Sequence, residues 1–362
     1  MSELTALSHQ LKRLGVVIAG PTGIGKTDVA IHLKDLLQPA CLISCDSVQV
    51  YRDLSIGANK DYRHEHHLVD VVDWRQPLFT SADYAEACWS VLRELDDGTT
   101  PIMVGGTGMY VEWVTRGRPG APEVPKEMLE NIKEELRKVA SWEEKLTLLQ
   151  SVDPVTSSRL SPNDEYRLIR ALAVYRHSGK PLSFFPRHLP PPQLLSWRIF
   201  YLYPADRLSL YRRIDARCEQ MIQAGLLQEV WSLRKQGLST EMQAGRAIGY
   251  RQCLEFFDEL DDTDHFKEKF ILFLRRLQAE TRQYSRRQET WYRNQPDVSW
   301  VEVRTGEDPK SIAEKIFSAI TQNQSIIDSL PRKFDFGAHK EYRSLDCSLD
   351  LESIHEIIRQ LK

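Results

Sequence analysis

The sequence predicts an α/β protein in which a parallel β-sheet is flanked by helices and interrupted by a helical insertion. Short apolar runs alternate with segments of helical periodicity over the first third of the 362-residue chain, which is typical of a parallel sheet with crossover helices. A charged, helix-forming stretch without strands follows, and the alternation then resumes. A hydrophobic content of 41% at this length is sufficient for a packed core.

The elements follow from these patterns in chain order. Strands are predicted from short apolar runs at residues 14–20, 41–46, 67–72, 101–106, 198–204 and 298–303. Helices are predicted from apolar residues at helical spacing at residues 26–37, 81–95, 126–139, 142–150, 164–177, 207–236 and 265–293. Gly179 is expected to end the helix over 164–177, because glycine is the residue that most readily takes the left-handed conformation at a helix C-terminus.

The same patterns predict a domain organisation. Residues 1–117 form the first part of the sheet-containing core, and residues 118–197 form the helical insertion, which a proline-rich stretch closes. Residues 198–324 complete the core. Residues 325–362 have few periodic positions before 349 and are expected to be a loosely attached C-terminal extension.

Composition excludes several classes of protein. No apolar stretch reaches the roughly 18 residues of a membrane span, and the polar segment 1–13 lacks the apolar region of a secretion signal. We therefore expect an intracellular, cytoplasmic protein that does not act at a membrane, with an organellar location left open. The net charge of −3 indicates no polyanionic partner by itself. Six scattered cysteines without a C-x-x-C pair favour reduced thiols over a zinc site.

A glycine-rich loop follows the first predicted strand and opens the first predicted helix. Its pattern, G-x-x-x-x-G-K-T, is that of a P-loop, so the fold is expected to be P-loop NTPase-like. Backbone N–H groups of such a loop surround phosphate oxygens, while the lysine adds a charge and the threonine hydroxyl can bind Mg²⁺. The loop binds the diphosphate and does not recognise the group attached to it, so ATP, GTP and a prenyl diphosphate all fit it. Its residues are Gly20, Pro21, Thr22, Gly23, Ile24, Gly25, Lys26 and Thr27.

Two further segments at the ends of predicted strands suggest what the loop serves. Asp46 follows the second strand, at the sheet edge where open α/β sheets bind ligands. Its position alone is equally compatible with a helix cap or a Mg²⁺ ligand. In the second segment, Gly105 and Gly106 would let the backbone approach a ligand closely, and Thr107 offers a hydroxyl.

Together these segments resemble the tRNA dimethylallyltransferases. The resemblance runs from about residue 15 to residue 293. It is carried, in the family's order, by GPTGIGKT, ISCDSVQVY, GGTGMYV, DPVTSSRLSPNDEYRLIRALAVY, SGKPLS, RRIDARCEQMI, RAIGYRQ and TRQYSRRQETWYR. The chain departs from the family at IGANK (residues 56–60), where similar proteins read I-G-T-A-K. The zinc finger that ends many eukaryotic relatives cannot be built here from the lone Cys347.

The resemblance implies an activity and a set of roles. Proteins of this family transfer a dimethylallyl group from dimethylallyl diphosphate to N6 of the adenine next to the anticodon, at position 37. It implies that the P-loop, Mg²⁺ bound at Thr27, and Arg217 hold the diphosphate. Arg217 judged by its position alone would be a solvated helix arginine. The resemblance assigns Asp46 as the base that takes the proton of the amine, and Thr107 to the reacting centre.

The resemblance also implies that a third set of residues contacts the anticodon stem-loop of tRNA. It further implies that the protein is a monomer. The stretch 267–293 supports this contact because arginines and lysines alternate there with aromatic residues, although a solvated helix face is the alternative. The predicted contacts are Ser47, Val48, Gln49, Tyr166, Arg167, Arg170, Arg246, Gly249, Tyr250, Arg251, Arg286, Arg287, Gln288, Trp291 and Arg293.

Three other functions stay open at this point. A P-loop kinase would transfer the γ-phosphoryl group of ATP to a small molecule, but it has no use for the basic stretch. An adenylate prenyltransferase would modify free AMP, ADP or ATP. A non-catalytic RNA-binding protein would use the basic stretch and leave Asp46 and the P-loop unexplained.

Overall fold

The computed structural model describes residues 14–76, 78–192, 195–260, 265–324, 342 and 347–361. The described residues fall into two compact units. One combines the residues before Glu112 with those after Pro192, and the other spans Glu112–Pro192. The segment 1–13 and most of the predicted C-terminal extension lie outside the described residues, and the predicted domain boundaries stay a prediction.

The first unit is built on a five-stranded sheet in which all pairs of neighbouring strands are parallel. Its order is β2-β3-β1-β4-β5, so β1 lies at the centre. In the register, Val16 of β1 faces Ile102 on one side and Arg198 on the other. The strands are β1 (Leu14–Ala19), β2 (Ala40–Ser44), β3 (Thr100–Gly105), β4 (Ser196–Pro204) and β5 (Val298–Val303).

Helices flank the sheet and form the second unit, as the pattern of the sequence predicts. In the described ranges the α-helices are α1 (Lys26–Leu36), α2 (Ser81–Glu94), α3 (Gly108–Arg116), α4 (Lys126–Arg137), α5 (Trp142–Gln150), α6 (Pro154–Ser157), α7 (Glu165–Ser178), α8 (Arg207–Gln223), α9 (Leu226–Lys235), α10 (Tyr250–Glu259), α11 (Phe266–Arg293), α12 (Pro309–Thr321) and α13 (Leu351–Leu361). The predicted class, a P-loop-like α/β fold with a parallel sheet flanked by helices, is confirmed. None of the helices within these ranges has the length and apolarity to cross a membrane.

Two predicted elements are wrong, and backbone conformation explains both. Residues 67–72 form only isolated bridges, because Leu68 and Asp70 take positive φ angles of 63° and 57° that interrupt an extended strand. The helix predicted over 207–236 is two helices, since Gly225 has a φ of 103° and begins α9 as its N-cap. The helices α3, α6, α10, α12 and α13 are not predicted from the sequence.

The second unit has its own hydrophobic core. Ile132 and Leu136 of α4, Leu149 of α5 and Leu168 of α7 are buried together. Gly179 ends α7 in the left-handed conformation, with a φ of 71°, as predicted. The apolar faces of these amphipathic helices therefore pack against one another, which explains the helical periodicity of this stretch.

The described part of the C-terminal extension is more closely attached than its sequence suggests. Ile354 and Ile358 of α13 are buried, and the ring of His355 stacks on that of Phe266 at a centroid distance of 4.2 Å. Upstream, the backbone N–H of Ser348 donates to Glu219 at 3.2 Å. The expectation of a loose attachment is wrong for these residues, because their contacts are with helices far away along the chain.

Candidate active site

A cleft of about 440 Å³ lies where the P-loop leads from β1 into α1. The loop turns at Gly25, which has a φ of 98° and is the N-cap of α1, so the helix N-terminus faces the cleft. Arginines from α8 and residues of the segment 49–69 form the other walls. The lining residues are Gly23, Gly25, Lys26, Thr27, Asp28, Gln49, Asn59, Asp61, Arg63, His66, Val69, Arg213, Ala216, Arg217 and Gln220.

Lys26 is the central cation of the cleft. Its ammonium group donates a hydrogen bond to the carbonyl oxygen of Pro21 at 3.0 Å. Burial lowers the pKa of Lys26 to about 8, and the nearby positive charge of Arg217 adds to this effect, whereas the charge of Asp46 opposes it. An anion in the cleft would stabilise the charged lysine, so the loop is suited to bind a diphosphate.

Two arginines of α8 reach the same place. Arg217 donates from Nη1 to the hydroxyl oxygen of Thr22 in the P-loop at 3.3 Å. Arg213, one turn earlier on the helix, also lines the cleft and is absent from the residues predicted by the sequence. The sequence did contain a signal for Arg213: it precedes Arg217 by four positions, which places both side chains on the same face of a helix.

Asp46 and Thr107 lie at the ends of neighbouring strands. Asp46 Oδ1 accepts hydrogen bonds from the N–H groups of Val48 at 2.8 Å and Gln49 at 3.4 Å. Thr107 Oγ1 accepts from the N–H of Ser47 at 3.1 Å. Asp46 and Thr107 are not among the residues that line the cleft, but the negative charge of Asp46 opposes the lowering of the pKa of Lys26 and of Arg217. The structure thus brings together the predicted base, the predicted threonine and the P-loop.

The glycines at the end of β3 and in the turn that follows make room for neighbouring parts of the protein. A Cβ atom on Gly105 would lie 2.0 Å from the carbonyl oxygen of Cys45. A Cβ on Gly106 would lie 1.8 Å from Gln288 Nε2, and one on Gly108 would lie 2.2 Å from the ring of Trp291. These glycines therefore allow Cys45, which follows β2, and helix α11 to approach the turn, and the predicted approach of a ligand stays a prediction.

The segment that departs from the family pattern is held by hydrogen bonds to its backbone. Gln49 accepts from the hydroxyl of Ser44 at 2.7 Å and donates to the carbonyl oxygen of Ala58 at 3.2 Å. Glu229 accepts from the N–H groups of Ser55, Ile56 and Gly57 at 3.1, 2.7 and 3.2 Å. Because these contacts use main-chain atoms, they do not require a threonine in IGANK.

Several side chains predicted to contact tRNA are engaged within the first unit instead. Tyr250 is fully buried and donates its hydroxyl hydrogen to Glu229 at 2.7 Å. Arg293 bonds to Glu289 at 2.8 Å, and Arg251 pairs with Glu280. All three side chains thus bind carboxylates of the protein itself. These internal contacts give no support to a direct contact between the three side chains and tRNA.

Other predicted tRNA contacts are more accessible. Arg287 is exposed, and Arg246 has 62% of its side chain exposed beside Glu241. Gly249 has a φ of 98° and begins α10. Arg286 of α11 is half-buried, as are Ser47 and Val48 beside Asp46.

The second unit carries three predicted contacts. Tyr166 lies at the start of α7 and is 81% exposed. An aromatic ring that is exposed in this way can stack on an unpaired base. Arg167 pairs with Asp164 at 2.7 Å, and Arg170 donates to the carbonyl oxygen of Pro122 at 2.9 Å.

Sequence reasoning missed one wall of the cleft. Asn59, Asp61, Arg63 and His66 line it, and Asp61 accepts from Arg63 Nε at 2.8 Å. That hydrogen bond lowers the pKa of Asp61. The many charged and histidine residues over 61–67 indicated a polar segment. Nothing in the local sequence pattern showed that this segment lies beside the P-loop.

Comparison with known proteins relates the chain to one family. The family model described as IPP transferase matches residues 49–295. A tRNA dimethylallyltransferase from Syntrophobacter fumaroxidans is 36% identical over 310 residues, which cover 80% of this chain and 83% of the relative. One from Geobacter sulfurreducens is 35% identical over 318 residues, covering 83% and 96%.

A solved structure shows the same fold. The full-length tRNA isopentenylpyrophosphate transferase from Bacillus halodurans is 27% identical, with a TM-score of 0.61, and the match covers 88% of this chain and 99% of that one. The residues matched by the family model include α8, α11 and the part of the cleft from residue 49 onward, whereas the P-loop precedes them. This chain belongs to the IPP transferase family.

Proposed function

We propose that this enzyme transfers a dimethylallyl group from dimethylallyl diphosphate to N6 of adenine 37, next to the anticodon of tRNA. The observation that carries the proposal is a set of hydrogen bonds that ties the two halves of the site together. Thr107 accepts from the N–H of Ser47, next to Asp46. Gln288 joins Gly106, next to Thr107, to Thr22 of the P-loop. A carboxylate able to take a proton thus lies beside cations able to hold a diphosphate. The family's tRNA dimethylallyltransferases support this assignment.

The cations act on the leaving group. When the bond between C1 of the dimethylallyl group and the diphosphate oxygen breaks, negative charge develops on the departing diphosphate. Lys26, Arg217 and the N–H groups at the start of α1 stabilise that charge because they already point into the cleft. Arg213 adds a fourth source of positive potential.

Thr27 and the diphosphate would hold Mg²⁺. Thr27 lines the cleft next to Lys26, and its hydroxyl is the hard oxygen ligand that this ion prefers. Within the described ranges no three His, Cys, Asp or Glu side chains are grouped so that they could hold a metal, which suits an ion bound mainly through substrate oxygens. When bound, Mg²⁺ would neutralise charge on the diphosphate.

Asp46 acts on the acceptor. The lone pair of the adenine amine is delocalised into the ring, which makes N6 a weak nucleophile. As N6 forms its bond to C1, the amine loses a proton, and Asp46 accepts it. Oδ1 of Asp46 is held by two backbone N–H groups, so the carboxylate is oriented before the substrate arrives.

The adenine must leave its stack to reach this carboxylate. Enzymes that modify bases usually extrude the target, and bases in a loop cost less to extrude than paired ones. Ser47 and Val48 adjoin Asp46 in the chain and are partly exposed, and the resemblance assigns them to border such a base. Exposed cations, with Arg287 as the example, supply contacts to the phosphates of the anticodon stem. We infer from the tRNA substrate a cytoplasmic location, and from the resemblance a monomer.

The test offers the purified protein two acceptors. It is incubated with dimethylallyl diphosphate, Mg²⁺ and either an anticodon stem-loop carrying adenine 37 or AMP, and mass spectrometry detects addition of a C5H8 unit. We expect addition to the stem-loop and none when guanine replaces adenine 37. Addition to AMP alone would indicate an adenylate prenyltransferase, and phosphoryl transfer from ATP would indicate a kinase.

A further inference from the structure

One face of α11 packs over the turn that follows β3. Tyr284, Gln288 and Trp291 occupy this face, because positions separated by four and then three residues lie above one another on a helix. Gly106 and Gly108 make room for Gln288 and Trp291. A Cβ atom added to Gly106 would lie 1.8 Å from Gln288, and one added to Gly108 would lie 2.2 Å from the ring of Trp291. The turn and the helix are therefore fitted to each other at side-chain level.

The amide of Gln288 joins two loops of the active site. Its oxygen Oε1 accepts from the backbone N–H of Thr22 in the P-loop at 2.9 Å. Its nitrogen Nε2 donates to the carbonyl oxygen of Gly106 at 3.2 Å. Gln288 is only 6% exposed, so both bonds form away from bulk water, where a lost partner is costly.

These two loops carry opposite halves of the proposed reaction. The P-loop follows β1 and holds the diphosphate, whereas the turn after β3 carries Thr107, which bonds to the residue next to Asp46. β1 and β3 are neighbours in the sheet, and their strand pairing ends at Ala19 and Gly105, so it does not extend to the two loops that follow. A side chain that bridges both loops sets the distance between leaving group and base.

We propose that Gln288 is a positioning residue that holds the P-loop and the Gly106–Thr107 turn in register for prenyl transfer. This inference rests on the proposed function. It replaces the tRNA contact that the sequence predicts for Gln288, since the amide is buried and both of its ends are occupied. The neighbouring Arg287 is exposed, so tRNA contact and loop alignment belong to different faces of α11.

The variant Gln288→Met tests this role, because methionine keeps the length of the side chain and lacks the amide. We expect kcat/KM for dimethylallyl diphosphate to fall about 10- to 100-fold, the range expected for losing buried hydrogen bonds. The dissociation constant of the anticodon stem-loop should stay within about twofold. Gln283→Met, the same change at an exposed position of the same helix, should leave both quantities unchanged.

A tenfold weaker stem-loop affinity with an unchanged KM for the diphosphate would make Gln288 a tRNA contact and overturn the proposal. Unchanged kinetics in Gln288→Met would overturn it as well. Hydrogen exchange of the P-loop gives a readout that needs no activity: the N–H of Thr22 should exchange faster in Gln288→Met than in Gln283→Met. If the wild-type protein transferred no prenyl group, the proposed function would fail while this exchange comparison still tested the bridge.

A second pair of variants tests the contact between Gln288 and Gly106 even if Gln288→Met fails to fold. Gly106→Ala alone should impair the protein, because its new Cβ would collide with Nε2 of Gln288. In the Gly106→Ala/Gln288→Ala double variant that collision is gone, so its thermal stability should exceed that of Gly106→Ala. A double variant that is less stable than Gly106→Ala would contradict the contact on which the bridge depends.

Discussion

The guanidinium of Arg217 lies 3.3 Å from the hydroxyl oxygen of Thr22, although 195 positions separate the two residues in the chain. The contact places a cation of α8 over the P-loop. On the same helix, Asp215 pairs with Arg282 of α11, which fixes the orientation of α8. The cleft at the P-loop is therefore lined by two distant parts of the chain.

Replacing Arg217 should weaken the diphosphate site. We expect Arg217→Ala to lower kcat/KM for dimethylallyl diphosphate by about 10²- to 10³-fold, the usual effect of removing one preorganised donor. Arg217→Lys should recover part of the loss because it keeps the charge but not the planar fork. Steady-state kinetics with a stem-loop acceptor measures both. Arg212→Ala, at an exposed position of α8, is the matched control, and equal rates for Arg217→Ala and Arg212→Ala would remove Arg217 from the site.

Asp46→Asn should separate structure from chemistry. The amide oxygen of asparagine can still accept from the N–H groups of Val48 and Gln49, but it cannot take a proton. We expect single-turnover rates to drop about 10²- to 10⁴-fold with diphosphate affinity retained. The control is Asp53→Asn, at an exposed residue with a φ of 65° that asparagine also tolerates. Turnover close to wild type in Asp46→Asn would exclude the carboxylate as the base.

Diphosphate binding should weaken at alkaline pH. Burial lowers the pKa of Lys26 from 10.5 to about 8, so the free enzyme loses this positive charge as the pH rises through about 8. Calorimetric titration of dimethylallyl diphosphate at a series of pH values should show affinity falling over that window.

Two variants should move the midpoint of this pH dependence in opposite directions. Arg217→Ala removes a positive charge that lowers the pKa of Lys26, so its midpoint should lie at higher pH. Asp46→Asn removes a negative charge that raises the pKa, so its midpoint should lie at lower pH. A midpoint that neither variant moves would show that another group governs the pH dependence.

The loop over residues 55–57 should depend on Glu229. Glu229→Ala leaves three N–H groups without their acceptor, and we expect it to lower the free energy of unfolding by about 1–3 kcal/mol. Tyr250→Phe removes a single hydrogen bond to the same carboxylate and should cost about 1 kcal/mol. Urea unfolding measures both. Tyr166→Phe, at a side chain that is 81% exposed, should change stability by less than about 0.5 kcal/mol, and an equal loss there would refute the argument.

Much of the fold could be predicted because its signals are local. The apolar run before the P-loop and the glycines within it define β1, the turn at Gly25 and the start of α1 without reference to the rest of the chain. The missing strand at 67–72 shows the limit of such signals. Its residues are apolar enough for a strand, but Leu68 and Asp70 adopt left-handed conformations that no periodicity reveals.

The sequence by itself determined the P-loop and the class of the sheet, and through resemblance it predicted Asp46, Thr107 and Arg217 as site residues. Only the tertiary structure decided which side chains face the cleft and which are used internally: Arg213 joins the site, Arg293 pairs with Glu289, and Gln288 bridges Thr22 and Gly106. The reason is physical. Backbone conformation and periodicity depend on neighbours along the chain, whereas burial and hydrogen-bond partners depend on packing between segments that lie far apart along the chain.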